Sequence, residues 1–335
     1  MNEQPWHPGT LLQLAGSYWQ TFALHAGVKL KVFTHLAGKA LTAEEAAGRM
    51  GAAARGLTRL LNALSAMRLL EKEGDRYALS DAARRYLVEG APEYVGFIIL
   101  HHHHLSGSWA RLDEAVHSGR PLRARAAFNE EGQREAFLMG MFNSAMLQAP
   151  AVVNQVDLGQ HRTLLDLGGG PGTYAIHFCQ KNPQLQAVVF DLPTTRPFAE
   201  KTIERFGLSE RIRFDSGDYL ADEIDSTYDV VWMSHILHAE GPEDCRQIIS
   251  KAVRTLSPGG MILIHEFILD DSMDGPLFAA LFSLNMLLGT PTGRSYSEAQ
   301  LKEMLADAGI AQIRREAYRG PNDSGIISGV RDNSR

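Results

Sequence analysis

One segment, Leu164-Leu-Asp-Leu-Gly-Gly-Gly-Pro-Gly-Thr173, constrains what this chain can fold into more than any other. Its apolar start reads as a strand ending at Leu167. Gly168, Gly170 and Gly172 then form a G-x-G-x-G turn ahead of a helix that begins near Thr173. Glycines let such a turn take positive φ and let a ligand come close to the backbone. A turn outside the carboxyl end of the first strand is also where open α/β sheets bind ligands. The sequence downstream keeps the same rhythm: Thr163–Leu167, Gln186–Phe190, Ile212–Asp215, Asp229–Met233 and Met261–Phe267 are short apolar runs, each followed by helix or turn signals. That alternation predicts an α/β fold with a mainly parallel sheet covered on both faces. A last helix over Ser297–Ala308 and strand candidates near Ile310–Tyr318 and Gly325–Val330 complete seven strands.

The N-terminal part follows a different pattern. Thr42-Ala-Glu-Glu45 is a capping box, in which Thr42 caps a free N–H and Glu45 reaches back. The helix it opens runs to about Met50. Leu57, Leu60, Leu61, Leu64, Met67 and Leu70 then recur every three to four residues, on one face of a second helix. Two strand-like runs around Gly74-Asp75 follow, which suits a hairpin. Helix, turn, helix and hairpin predict a winged helix. Between about Glu93 and Val156 the pattern is helical again, with a polar break near Ser118–Pro121. The expected organisation is a winged-helix domain over 1–92, a helical linker over 93–156 and the sheet domain over 157–335, a length that suits two domains.

Composition narrows the partners. With 44% apolar and 21% charged residues the chain has the makings of a substantial core, and a net charge of −6 gives no reason to expect nucleic acid or an anionic membrane. A winged helix invites a DNA-binding reading. Between Leu41 and Gly90, however, basic and acidic side chains balance, and the second helix offers little beyond Arg55, Arg59 and Arg68. Its apolar faces suit burial across a two-fold axis, so a homodimer is expected. The two cysteines, Cys179 and Cys245, form no C-x-x-C pair and read as inert helix residues in a reducing compartment. The residues MNEQPWHPGT lack a secretory pattern, and no run of 18 apolar residues occurs, so a cytoplasmic protein is expected. In His101–His104 at most His101 and His104 share a helix face, with no companion Cys or Asp cluster, and no metal is expected.

The glycine turn admits two ligand readings. A dinucleotide fingerprint, G-x-G-x-x-G, would need glycine where this chain has Thr173, and Pro171 removes an N–H from a loop that would cradle pyrophosphate. Asp191, ending the second strand, can accept from ribose hydroxyls in either case. Asp166 discriminates: an acid just before the loop suits a cofactor bearing an ammonium and a sulfonium, and is unhelpful beside pyrophosphate.

Taken in order, Leu164–Thr173, Val189-Phe-Asp-Leu-Pro193, Ser216-Gly-Asp218, Asp229-Val-Val-Trp-Met-Ser-His-Ile-Leu-His238 and Leu256–Glu266 resemble the plant caffeate-type and bacterial secondary-metabolite O-methyltransferases. These are class I, Rossmann-like enzymes dependent on S-adenosylmethionine, with an N-terminal winged-helix dimerisation domain. The resemblance covers nearly the whole chain. It implies Asp191 and Leu192 at the ribose, Asp218 near the adenine amino group, Tyr219 packed on adenine, and Asp166, Gly168, Gly170 and Gly172 around the methionine part. Ser234 stands where plant members carry a cofactor-contacting lysine.

The chemistry needs a base. Ionising a phenol of pKa about 10 at neutral pH costs about 4 kcal/mol, and a positioned histidine can take that proton. His238, just past the fourth strand, resembles the family's catalytic histidine, and Glu266, ending the fifth, resembles the carboxylate that orients it. Parallel order makes the first, fourth and fifth strands neighbours. His235 reads as a pocket or supporting residue. Two departures stand out: Ala239 follows the histidine where Asp is common, and Ser295 replaces a second orienting Glu. The acceptor pocket is expected to draw on Phe137, Met141, Phe142, Phe282, Met286 and Thr290, whose apolar character suits a flat, mostly apolar acceptor. Tyr18 and Trp19, on the first helix, are candidates to cap a partner subunit's pocket. The residues leave open transfer to nitrogen or carbon, and a relative that keeps the cofactor without transferring methyl.

Overall fold

The computed structural model describes residues 6–125 and 130–332, so residues 1–5, at the start of the stretch read for a secretory pattern, and four positions of the expected linker lie outside the described residues. The chain divides into two units, residues 1–105 and 106–335.

The first unit holds α1 (Pro8–Gly16), α2 (Tyr18–Lys29), α3 (Val32–His35), β1 (Leu41–Thr42), α4 (Ala43–Met50), α5 (Ala54–Ala66), β2 (Leu70–Glu73), β3 (Arg76–Leu79) and α6 (Asp81–Tyr86), and α7 (Gly96–Trp109) begins in it. Thr42 Oγ1 accepts from the Glu45 N–H at 3.2 Å and Glu45 Oε2 from the Thr42 N–H at 2.9 Å, so the capping box is formed. Glu45 also meets Arg76 Nη1 at 3.1 Å, tying the cap to the hairpin. Leu57, Leu61 and Leu64 of α5 face a core that includes Phe33, Leu70 and Tyr77. The three short strands pair in the order β1-β3-β2, completing the winged helix. Thr42→Ala is expected to cost about 1 kcal/mol, read as a lower midpoint in urea unfolding.

One expectation is corrected here. The first helix breaks at Ser17, and Tyr18 and Trp19 open a second one. With Trp6, Leu11, Leu12, Leu14 and Phe22 they leave large apolar side chains in solvent, Leu12 at 74% and Trp19 at 71% exposure.

The second unit holds α8 (Leu112–Ser118), α9 (Glu131–Gln155), β4 (Thr163–Leu167), α10 (Thr173–Lys181), β5 (Gln186–Asp191), α11 (Arg196–Arg205), β6 (Ile212–Ser216), β7 (Tyr228–Ser234), α12 (Pro242–Arg254), β8 (Leu256–Phe267), α13 (Leu277–Gly289), α14 (Glu298–Asp307), β9 (Ile310–Arg319) and β10 (Ser324–Arg331). Seven strands pair in the order β6-β5-β4-β7-β8-β10-β9. β10 runs antiparallel to both its neighbours and the other pairings are parallel.

Alternation along the strands builds a core on each face. Leu164, Val230, Trp232 and Leu263 pack on one side with α9 and α10 residues such as Val152 and Phe178. Leu165, Val231, Met233, Ile262 and Ile264 pack on the other with Ile248 and Leu301. Among the described residues α9 alone is long and apolar enough to cross a membrane, but its Ala149, Val152 and Val153 belong to the first of these cores.

Candidate active site

β4 pairs with β7 and β7 with β8, so the carboxyl ends of the three strands lie side by side, as parallel order required. The turn leaving β4 carries Gly168, Gly170 and Gly172 at φ of 66°, 55° and 78°. A Cβ at Gly168 would lie 2.6 Å from Ile236 Cγ2, in the segment leading to His238. At Gly170 a Cβ would meet nothing within 4 Å, so this part of the turn faces open space.

Asp166 lies under the turn, 1% exposed. Its Oδ2 accepts from the Ala175 N–H at 3.2 Å, and its Oδ1 is buried without a hydrogen-bond partner. Burial, with the nearby Asp191 charge, outweighs the Ala175 bond and pushes its pKa up to about 7. A buried carboxyl group with an unused oxygen beside an open backbone cradle is suited to a cationic ligand.

Asp191 Oδ2 accepts from the Gly170 N–H at 2.8 Å, while Oδ1 accepts from the Leu192 N–H at 2.7 Å and the Thr195 hydroxyl at 3.0 Å. Burial raises its pKa too, against those bonds. Asp218 Oδ1 accepts from the Leu220 N–H at 2.9 Å. Tyr219 donates its hydroxyl to Glu240 Oε1 at 3.1 Å. The Ser234 hydroxyl lies 3.0 Å from His265 Nδ1, with His265 Nε2 3.1 Å from the Ser324 hydroxyl. Burial, helped by the charge of His235 and opposed by that of Glu266, holds His265 well below the usual imidazole range.

His238 occupies a single 3₁₀ turn, Leu237–Ala239, just beyond β7. Its Nδ1 is 2.8 Å from Glu266 Oε2, and its backbone N–H donates to Oε1 at 3.3 Å. A carboxylate only accepts, so Nδ1 carries a proton in that contact, and Nε2 is the ring nitrogen that Glu266 does not engage. Glu266 is 3% exposed at its side chain. Burial would raise its pKa, but the charge of His238 and the contacts from His235 and His238 prevail and hold it well below the carboxylate range. His235 approaches the same Oε2, with its Nδ1 3.5 Å away and its backbone at φ 57°.

Of the expected acceptor-lining residues, Phe282 meets the His238 ring edge-on at 4.7 Å and Phe267 at 4.8 Å. Met286 is 8% exposed on the same helix. Thr290 commits its hydroxyl to Met286 O and the Gly293 N–H, both at 2.9 Å. Phe137 and Met141 are half-buried on α9, while Phe142 is buried with its ring 6.5 Å from Phe206. Ser295 is buried and donates to Ala279 O at 2.8 Å.

Two residues that sequence reasoning did not single out hold the His238 turn. Arg125 grips Glu240 with both terminal nitrogens, at 2.6 and 2.7 Å, and also donates to Ala239 O at 3.0 Å. Glu240 is 1% exposed, and the Tyr296 hydroxyl donates to its carbonyl at 2.6 Å. The only hint lay in an acid two positions past the histidine; no spacing links it to an arginine 115 residues earlier. In the histidine run, His103 faces α2, with its ring 5.5 Å from His25 and its Nε2 3.1 Å from Lys29 Nζ.

The chain matches the O-methyltransferase domain family over residues 109–311 and the O-methyltransferase dimerisation domain over residues 12–89. It is 35% identical to a 3-hydroxy-5-methyl-1-naphthoate 3-O-methyltransferase of Streptomyces sahachiroi, covering 97% of this chain and 95% of that one. Identity is also 35% to the tetracenomycin polyketide synthesis 8-O-methyl transferase of Streptomyces glaucescens, over 95% of this chain and 96% of that one. Among solved structures, human N-acetylserotonin methyltransferase in complex with S-adenosylmethionine superposes with a TM-score of 0.87 at 25% identity, covering 99% of this chain and all of that one.

Proposed function

This chain belongs to the O-methyltransferase family, and from that premise we propose that it methylates a hydroxyl of a small aromatic or polycyclic metabolite, with His238 as general base. The observation that carries the reading is the His238 Nδ1 to Glu266 contact at 2.8 Å, on a turn whose Ile236 packs against the cofactor loop. Its relatives support the acceptor class: one Streptomyces enzyme is named for a hydroxynaphthoate and the other for tetracenomycin polyketide synthesis.

The cofactor of the family is S-adenosylmethionine, and the residues present fit it. Asp166, with its unpartnered buried Oδ1, would face the cationic methionine end, and Gly168–Gly172 would pass beside it. Asp191 would hold the ribose with Leu192 alongside, and Asp218 and Tyr219 the adenine. When bound, this cofactor supplies a methyl group activated by its sulfonium charge. The protein's part is proton removal and orientation. His238 takes the acceptor's proton at Nε2, while Glu266 fixes the ring and stabilises the imidazolium that forms. Phe282, with Phe267 behind it, forms an apolar wall that excludes water from the proton transfer, and Phe137, Met141, Phe142 and Met286 extend the apolar lining. Ser234 serves as a support for His265 in this reading.

Asp166 gives a pH signature. Its carboxyl titrates near 7 in the free protein, and a cationic ligand needs the ionised form. Cofactor affinity should therefore fall about tenfold per pH unit below 7 and level off above it. Calorimetric titration from acid to mildly alkaline pH reads this, and Asp166→Asn should flatten the slope. The same raised value makes the neutral form stabilising to the free fold at acid pH, a contribution lost as pH rises through 7.

The exposed Leu12, Tyr18, Trp19 and Phe22 would be covered by a second copy of the chain, making the enzyme a homodimer in the cytoplasm. The function is tested by S-adenosylhomocysteine release across phenols and hydroxyquinones, with anilines and carbon nucleophiles as competitors. Release with hydroxyl acceptors supports it; transfer confined to nitrogen or carbon acceptors overturns the choice of oxygen.

A further inference from the structure

Glu266 is approached by two imidazoles through the same kind of nitrogen. His238 Nδ1 is 2.8 Å and His235 Nδ1 3.5 Å from its Oε2, and the three ligand atoms lie within 4.8 Å of one another. We propose that His235, His238 and Glu266 form a binding site for a transition-metal ion of the zinc class, whose occupancy switches off methyl transfer by withdrawing His238 from its role as base.

Several observations converge on this set. His235 holds a left-handed backbone at φ 57°, unusual for a residue other than glycine, and its Nδ1 lies 3.5 Å from Glu266 Oε2. That nitrogen is buried yet has no hydrogen-bond partner. Phe267 lies 4.3 Å from the His235 ring and His265 lies 4.5 Å away, so the imidazole is held from both sides.

The distances fit the metal as well as the proton. Zinc–ligand bonds of about 2.0–2.1 Å set tetrahedral donors about 3.4 Å apart, a spacing bracketed by the 2.8 and 3.5 Å separations here. Two histidines and one glutamate form a set that zinc uses with a fourth position left open. Imidazole and carboxylate donors without thiolate also suit cobalt(II), which makes that ion a visible probe.

The consequence for turnover follows from the histidine tautomer. A metal at His238 Nδ1 displaces the proton now shared with Glu266. The neutral ring then carries its only proton on Nε2, the nitrogen that must accept from the acceptor hydroxyl. This second half rests on the reading of His238 as the base; the metal site itself does not.

The full-length protein, stripped with chelator, is titrated with Co2+ and followed by visible d–d absorption; turnover is then measured with and without a small excess of Zn2+. His235→Asn keeps a residue that tolerates positive φ while removing the imidazole, and circular dichroism confirms that it folds. A second variant, His235→Gln, serves if the first does not. In the original protein one equivalent of absorbing Co2+ is expected. A tenfold or greater loss of turnover with Zn2+ is also expected, restored by chelator. In the variant the equivalent is lost, and the ratio of its own turnover with and without Zn2+ returns towards one. Comparing the two isolates this site from the histidines of α7. An absent band, or one that survives in the variant, overturns the metal site. A band at the site with turnover undiminished overturns His238 as the base instead.

Discussion

His238→Ala is expected to lower the rate of methyl transfer in a single turnover by about 10²–10⁴-fold, while leaving S-adenosylmethionine affinity nearly unchanged. The split follows from position. His238 sits on a turn past β7 with its Nδ1 committed to Glu266, whereas the residues fitted to the cofactor lie at the carboxyl ends of β4 and β5 and on the turns after β4, β5 and β6. Rapid-quench kinetics and calorimetry on the same preparations separate the two effects. Acidity of the acceptor supplies a sharper test. A phenol already ionised at the assay pH has no proton to surrender, so the deficit should shrink as acceptor pKa falls below the assay pH. A deficit that is equal for acidic and ordinary phenols would mean that the imidazole positions the acceptor without acting as base. Glu266 adds a stability effect of known sign: its folded pKa is depressed, so its contribution is present above the unfolded value of about 4.3 and is lost as pH falls.

Replacing Arg125 with methionine should cost about 3–5 kcal/mol of stability, because Glu240 would be left as a buried charge without its cation. Glu240 is 1% exposed, and two of its contacts, from Arg125 Nη1 and Nη2, would vanish together. The Tyr219 hydroxyl would remain on the carboxylate, and one neutral donor does not replace a bidentate guanidinium. Arg125→Met with Glu240→Leu should recover most of the loss, since removing both charges also removes the desolvation they share. Thermal unfolding of the two single variants and the double variant completes the cycle. Similar stability in Arg125→Met and the parent would show that solvent reaches Glu240. Activity should fall in Arg125→Met as well, because Ala239 O loses a donor immediately after His238.

How much of this could be read from the sequence depended on how local each feature is. The strands β4 to β7, the capping box at Thr42 and the hairpin at Gly74 follow from patterns within about ten residues, and they were legible to within a residue or two. The neighbouring of β4, β7 and β8 was legible too, since parallel order leaves few alternatives. The break at Ser17 was not: Gly16 stands just before it, but the apolar residues run on through both, and one glycine within such a pattern did not separate the two helices. Arg125 and Glu240 lay beyond reach for another reason. Their pairing is made by the chain returning to the site through a stretch with no periodicity, where nothing local signals that a guanidinium will be buried. His265 shows a third limit. Its position on a strand was clear, but its hydrogen-bond partners, Ser234 and Ser324, come from separate strands.

β8 presents His265 and Glu266 as successive residues, and the pleat sends them to opposite faces: one into a dry core as a neutral ring, the other to the base as a charge. Their address is set by pairing, Ser234 opposite His265 in β7 and Gly325 opposite Glu266 in β10. A deletion or insertion of one residue within β8 would turn both to the opposite face. An insertion would bring His265 to the place of Glu266 beneath His238, and a deletion would drive Glu266 against Trp232 and Tyr174, whose rings now surround His265. A substitution along this strand alters one side chain, whereas a change of length turns every residue beyond it to the other face. Descendants of this sequence would thus be free to vary in the loops that shape the acceptor pocket while the distance between Met261 and Glu266 stays invariant.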